Sequence, residues 1–436
     1  MREKVVLIGA GSAMFTRGLI ADLIGRGWEC DLALVDISPE ALAVAEGLAK
    51  KMVQAKSASI AVTASTDRRD VLGGATSVIC TVGVGGRRAW EQDVYIPRRH
   101  GVYQPVGDSV MPGGTSRALR MIPAMVDVAA DVLDLCPRAL FFNYGNPMAC
   151  VCRGVRKATG ANVVGLCHGV LEVGHYLAGV LGADRGDLTY TAVGMNHLTW
   201  FVEVRVGGQD AMPRLHKIAA EKLSGQADHP FSWRLLELFG AFPAVLDRHV
   251  VEFFPHLFRG GKYYGRTLGV DVFSMAETIA HGDRIYEEMR RVALSGEALP
   301  ADYFQHIGGE HEQVVEIIEC IRKDVPRVYS VNLPNRGLVP NLPAEAVVEC
   351  PAVTTAAGLA PLAQEPLPAA IAGTLATRFQ WVETTVEAAL EGSRRKFIAA
   401  LVLDGAVGSI EAAAPLADEL LAAHAEYLPQ FHRRSP

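Results

Sequence analysis

Nothing in this sequence is long and apolar enough to live in a membrane, and little of it is basic in excess. No uninterrupted apolar run approaches the ~20 residues that cross a bilayer. Of 436 residues, 42 are Lys or Arg and 48 are Asp or Glu, a formal charge of −6, so no broad positive field draws nucleic acid or anionic lipid. The opening MREKVVLIGAGSAMF lacks the apolar core and small-residue cleavage site of a secretory leader, which predicts a cytoplasmic protein. Its eight cysteines, Cys30, Cys80, Cys136, Cys150, Cys152, Cys167, Cys320 and Cys350, follow no framework spacing, and a reducing compartment disfavours disulfides. Repeats and low-complexity tracts are absent. What remains is an ordinary globular composition, half of it hydrophobic, in a chain long enough for about two domains or one enlarged α/β unit.

Aliphatic, β-branched runs recur through the first half at Lys4–Ile8, Asp31–Val35, Ser59–Thr63, Ser77–Val82, Ala139–Asn143 and Asn162–Cys167. Helical spacing fills Ala41–Val53 and Ser116–Leu135 between them. This alternation predicts a Rossmann-like α/β fold, a doubly wound parallel sheet covered on both faces. Near Leu188 the pattern changes, because LTYTAVGMNHLTWFVEVRV reads as adjacent strands and the rest as mixed α+β. We place a boundary near Gly186, giving a dinucleotide-binding domain over 1–186 and a substrate or oligomerisation domain over 187–436. Helices are expected over Ala369–Ala400 and Ser409–Tyr427. The segment His229–Gly269, dense in aromatics, His and Arg, has the composition of a site wall or interface.

The first strand runs into Gly9 and Gly11 just before a helix. Missing Cβ atoms there let backbone N–H groups approach a pyrophosphate, whose charge a helix N-terminus favours. The third glycine of the usual fingerprint is absent, since Met14 stands there. Asp36 ends the second strand, 36 − 11 = 25 residues beyond Gly11, where an acid binds the adenosine ribose and favours NAD over NADP. Ser12 and Phe15 in the loop and Val82 after the fourth strand complete the expected cofactor contacts. The alternative is a tight turn with a capping aspartate.

Later strands deliver polar groups to the same edge. TVGVGGRRAW offers Arg87 and Arg88, FFNYGNPMA offers Asn143 and Asn146, VVGLCHGV offers Cys167 and His168, and YTAVGMNHLTW offers Asn196 and His197. Cys167 and His197 are 197 − 167 = 30 residues apart, so they form no zinc-finger pair. Two ligands leave a divalent ion open positions, as a catalytic site requires. By spacing alone, however, a cysteine on a strand is more often inert packing than a ligand.

Taken together, IGAGSAMF, DSVMPGGTSRALRMIP at Asp108–Pro123, NYGNPMA, GLCHG, GMNH and the late VNLPNRGLVPNLPAEAVVECPA resemble glycoside hydrolase family 4, the NAD- and metal-dependent glycosidases, over nearly the whole chain. The resemblance is greatest to the branch acting on unphosphorylated α-glycosides, α-galactosidases and uronidases among them. It implies that Cys167 and His197 hold a catalytic ion, usually Mn²⁺, and that Asn146 contacts substrate hydroxyls. His168 falls where the family places its acid, and Asp108 resembles an aspartate beside metal and sugar. For the proton-abstracting base the resemblance points to Asp247 first, with Tyr263 or Tyr264 as alternatives; by its position alone Asp247 also reads as a helix cap.

The implied chemistry is one of the redox exceptions among glycosidases. Hydride leaves sugar C3 for NAD, the C2 proton becomes acidic and is abstracted, the C1 leaving group is eliminated with acid help, water adds and the hydride returns. Arg87, Arg88 and Arg248 have the fork geometry that suits a substrate carboxylate. The expected partners are a small carbohydrate and further copies of the chain, as homodimer or homotetramer, with neither nucleic acid nor membrane. Two other readings compete: an NAD-dependent 2-hydroxy-acid dehydrogenase of the malate/lactate type, and a noncatalytic NAD-binding regulator.

Overall fold

The computed structural model describes residues 2–300, 302–307 and 313–432. Six strands, β1 (Glu3–Ile8), β2 (Cys30–Val35), β3 (Ile60–Ser65), β4 (Ser77–Cys80), β5 (Leu140–Asn143) and β6 (Val163–Gly165), lie in the order β3-β2-β1-β4-β5-β6. All five pairings are parallel. The inner strands β1 and β2 carry continuous apolar runs rather than alternations because helices cover both faces, and Val5–Ile8 and Leu32–Val35 are buried throughout, whereas the edge strand β3, IAVTAS, is largely unburied. The strand order reverses between β1 and β4, which opens a crevice at their carboxyl ends.

The covering helices are α1 (Thr16–Gly25), α2 (Pro39–Ala55), α3 (Gly86–Arg99), α4 (Met111–Leu135), α5 (Met148–Thr159) and α6 (Gly169–Leu181). In α2, Ser38 accepts from Ala41 N, proline opens the first turn and Glu40 complements its dipole. The buried Leu42, Ala45, Leu48, Ala49 and Met52 form its inward stripe. β6 is shorter than the sequence suggests and ends at Gly165. Its neighbour β5 ends at Asn143, opposite Gly165, so no parallel partner remains beyond that point. Cys167 and His168 therefore lie in the loop entering α6.

The second half extends the same sheet and adds a separate two-stranded ribbon, Lys262–Tyr263 against Arg266–Thr267. β7 (Leu188–Met195) and β8 (Leu198–Val206) form the expected antiparallel hairpin. Two later strands, β9 (Val328–Pro334) and β10 (Val347–Thr355), stand between it and β6. Asn332 pairs with Gly165 and Glu349 with Gly194. Residue 186 lies in a 3₁₀ turn, Arg185–Asp187, leading into β7.

Further helices are α7 (Pro230–Phe239), α8 (Met275–Leu294), α9 (Ala369–Glu391), α10 (Arg394–Asp404) and α11 (Ile410–Ala423). The helix expected over 369–400 is broken at Gly392, whose φ is +64° and where a Cβ would lie 2.2 Å from the Gln430 carbonyl oxygen. Among the described residues no helix is long and apolar enough to cross a membrane.

Candidate active site

The crevice between β1 and β4 is shaped by close backbone approach. Gly9 has φ +88°, and a Cβ there would stand 2.9 Å from Val82 N. Gly11 N donates to Asp36 Oδ2 at 2.8 Å, and Ser38 N donates to Asp36 Oδ1 at 3.0 Å. Asp36 is thus held at the mouth of the crevice, partly exposed. Phe15 packs its ring 5.3 Å from that of Tyr144, and Phe15 N donates to Ser12 Oγ at 3.4 Å. Gly9, Gly11, Ser12, Phe15, Asp36 and Val82 accordingly gather at the carboxyl ends of β1, β2 and β4.

Two strands away, polar side chains from four segments meet. His197 sits in the two-residue turn of the β7–β8 hairpin with φ +63°, and Cys167 follows β6. Cys167 Sγ lies 3.6 Å from His197 Nε2. Two donors bound to one tetrahedral ion at ~2.0–2.3 Å stand about 3.5 Å apart, so this separation fits a shared ion. The ligand atoms of Asp108, His197 and His249 all lie within 4.8 Å of one another, and the rings of His197 and His249 are 4.6 Å apart. His249 Nδ1 is buried with no hydrogen-bond partner among the described residues, an orphan of the kind an ion would satisfy. Thiolate, imidazole and carboxylate together suit a borderline divalent ion.

Neighbouring groups fix these ligands. Ser109 Oγ lies 2.8 Å from His197 Nδ1, leaving Nε2 for the cluster. Asn146 Nδ2 donates to Asp108 Oδ2 at 3.0 Å, and Arg117 Nε donates to the Asn146 carbonyl oxygen at 3.0 Å. The loop bearing Asp108 is pinned on both sides: Val106 N and Gly107 N donate to Glu252 Oε1, and Met111 N to Asp404 Oδ2. Beneath the hairpin, Glu349 accepts from Thr199 Oγ1 at 2.6 Å, Asn332 Nδ2 at 3.1 Å and Asn196 Nδ2 at 3.3 Å.

Burial pushes His249 down to about 3 and lowers His197, so both imidazoles are neutral and present lone pairs. Burial opposes ionisation of Asp108 too, but the charges facing it and the Asn146 amide outweigh that and hold its carboxyl below the ordinary value. Asn146 Nδ2 and Ser109 Oγ donate to its two oxygens, the pattern that an ionised carboxylate accepts. His168 caps α6 with its side chain about one-quarter exposed, Nε2 lying 3.9 Å from Glu172 Oε2.

Four expected site residues are placed differently. Asp247, expected as the base, is fully buried and accepts from Phe231 N, Ser232 N, Ser232 Oγ and the Tyr263 hydroxyl. It caps α7 and has no accessible lone pair to take a proton. Asn143 is also buried, with its amide spent on the Gly145 backbone and Met148 Sδ, so it shapes the Asn146 loop instead of meeting substrate. Arg87 and Arg88 both bind Asp283 on α8, and Arg88 also binds Glu91, which neutralises them as anion receptors. Arg248 differs from them: its Nη2 donates to Thr278 Oγ1 at 2.9 Å, and its buried Nε has no partner among the described residues. Tyr264 is about half exposed at φ +42°; burial raises its phenol while the Arg234 guanidinium lowers it.

Residues 4–183 match the model of family 4 glycosyl hydrolases, and residues 192–407 match that of their C-terminal domain. The chain belongs to glycosyl hydrolase family 4. Similar to this family 4 chain are an alpha-galactosidase of Rhizobium meliloti, 32% identical over 98% of this chain and 89% of the relative, and an alpha-galacturonidase of Bacillus subtilis, 28% identical over 89% of each. The fold matches that of a 6-phospho-alpha-glucosidase from gut microorganisms, solved with NAD and glucose-6-phosphate: TM-score 0.85, 22% identity, 98% of this chain and 99% of that one. A malate dehydrogenase of Aeropyrum pernix reaches only 0.52 at 16% identity, over 88% of this chain and 97% of that one, which sets the family 4 hydrolase apart from the dehydrogenase reading. His249, Glu252, Arg117 and Glu349 belong to the site although sequence spacing did not single them out; DRHVVEFF and DSVMPGGTSRALR carried them without marking their roles.

Proposed function

We propose that this protein hydrolyses an unphosphorylated α-glycoside, a galactoside, glucoside or uronide, with NAD and a divalent ion, Mn²⁺ first among candidates. The observation that carries the reading is the 3.6 Å approach of Cys167 Sγ to His197 Nε2 beside Asp108 and His249, at the carboxyl edge of a dinucleotide-type sheet. The family 4 membership and the relatives named for galactoside and galacturonide hydrolysis support it.

When bound, the dinucleotide supplies a hydride acceptor for sugar C3 and the ion a Lewis acid for the oxygen there. The Gly9–Gly11 backbone seats the pyrophosphate and Asp36 the adenosine ribose. Cys167 and His197 would hold the ion, with Asp108 and His249 clustered around His197 as further donors, and Asn146, oriented through Asp108, would face the sugar hydroxyls. With Asp247 spent on structure, the base is the half-exposed Tyr264 phenol; burial raises it above its ordinary value and the Arg234 guanidinium offsets that only in part, so Arg234 is the group that would help it take a proton. Asp108 being ionised, His168 is the proton donor to the leaving oxygen. We place with it a division near residue 186, a cytoplasmic setting and a homodimer or homotetramer; no disulfide joins the eight cysteines, all of which are among the described residues.

The test is a panel of p-nitrophenyl α-glycosides and α-uronides assayed with NAD⁺, Mn²⁺ and a reductant. Cleavage without net NADH, and solvent deuterium at C2 of the released sugar, are expected. Full activity in metal-free buffer, or stoichiometric NADH, would refute it.

A further inference from the structure

Three of the cations near the cofactor groove differ in how they are satisfied, and the difference bears on what sits beside the metal cluster. Helix α8 runs along this groove and marks positions on it. At Tyr286 the phenol is raised by burial and then by Glu40 and Asp36, which places that turn at the adenosine end. One turn earlier, Asp283 takes both Arg87 and Arg88. Thr278, a further step back, receives Arg248. Arg248 stands beside the ligand cluster: His249, its neighbour in sequence, belongs to that cluster and feels its charge.

The guanidinium there is incompletely used. It carries five N–H donors, of which one is bound by Thr278, while Nε is buried and unpartnered. No carboxylate of the described residues forms a salt bridge with it, in contrast to Arg87 and Arg88. A partly buried cation without an anion is costly unless a ligand completes it. A neutral hexose would offer Arg248 only hydroxyls and leave the charge uncompensated, whereas a planar carboxylate accepts two parallel N–H bonds from one guanidinium. A phosphate dianion calls for more positive charge than this single unpaired arginine provides.

We infer that the substrate is a uronide, and that Arg248 is the specificity-determining residue that binds the C6 carboxylate. This rests on the glycosidase reading above and narrows its substrate class. The test uses the full chain with NAD⁺, Mn²⁺ and reductant, and compares p-nitrophenyl α-D-galacturonide and α-D-glucuronide with the neutral α-D-galactoside, α-D-glucoside and their 6-phosphates. The expected result is a kcat/KM for one uronide about 30-fold or more above its neutral counterpart, as one charge-assisted bidentate contact implies. In Arg248→Gln that ratio falls toward one, and in Arg248→Lys it falls by an intermediate amount. Calorimetric titration of the holoprotein with free D-galacturonate and D-galactose supplies a readout independent of turnover, with tighter binding of the acid expected in the wild type and lost in Arg248→Gln. Preference for a neutral sugar or a 6-phosphate overturns the inference, as does an Arg248→Gln variant whose main loss is NAD affinity. Absence of cleavage of any glycoside, with selective acid binding retained, would sink the glycosidase reading and leave the carboxylate site standing.

Discussion

Asp108 is partly exposed and Asp247 fully buried, and their partners give them opposite uses. Asp247 is saturated by two backbone amides and two hydroxyls, so Asp247→Asn should lower stability by roughly 1–3 kcal/mol through a mispaired buried group, seen as a lower melting temperature. Cys167 gives the sharper functional test. Cys167→Ser replaces a soft sulfur by a neutral hydroxyl, and Mn²⁺ affinity should fall by about tenfold or more while NAD binding stays within threefold in a fluorescence titration; equal loss of both would mean that the residue only packs. Glu252 has a pH signature of its own. Burial raises its carboxyl from 4.5 to about 8 against the help of the Val106 and Gly107 amides. Below pH 4.5 folded and unfolded chains both hold the proton and no stability is lost. Between 4.5 and about 8 only the unfolded chain releases it, so stability declines with rising pH and levels off above that range. Glu252→Gln keeps an acceptor for both amides and removes the titration. Its melting temperature should equal the wild type's at pH 4.5 and exceed it at pH 8.5; parallel curves would assign the decline elsewhere.

At the scale of elements, the β7–β8 hairpin is the device that aims His197. Its turn has only Asn196 and His197, the latter left-handed, and Gly194 is required because a Cβ would lie 2.4 Å from the Leu198 carbonyl oxygen. Glu349 on β10 ties the turn from below through Thr199 and Asn196. Glu349→Ala should therefore weaken Mn²⁺ binding by about 10–100-fold without contacting the ion, and Glu349→Gln should recover most of it, since its amide oxygen still accepts. NAD affinity unchanged in both variants would separate this positioning role from general unfolding. Strands such as β1, β2 and β7 were legible in the sequence because burial on two faces or one writes itself as a run or an alternation. The end of β6 was not, since it depends on where β5 stops pairing. His249 was not legible either: its role arises from α8 and the Asp108 loop packing around a four-residue helical turn, Asp247–Val250, and no spacing rule relates it to His197. Asp247 was misassigned for a related reason, because nothing local shows that α7 would bring its first amides to that carboxylate.

For the whole molecule, the decisive feature is that one sheet passes through both halves. The parallel half ends at β6 and the antiparallel half begins at β9, so Cys167 comes from one side of this join and His197 from the other, with two strands between. An ion held by both is a non-covalent strap across the join, and its binding energy adds to the stability of the whole sheet rather than of one half. At a metal concentration of 100 times Kd the expected gain is about 2.7 kcal/mol, which for a chain of this size should raise the melting temperature by a few degrees. Calorimetry with NAD⁺ and saturating Mn²⁺ should show one transition moved upward, and chelation should reverse the shift. In His197→Ala the NAD-induced rise should persist while the Mn²⁺-induced rise disappears. If Mn²⁺ instead stabilised only a separate, later transition, the ligands would have to lie within one half, and the site would not be the bridge that Cys167 and His197 describe.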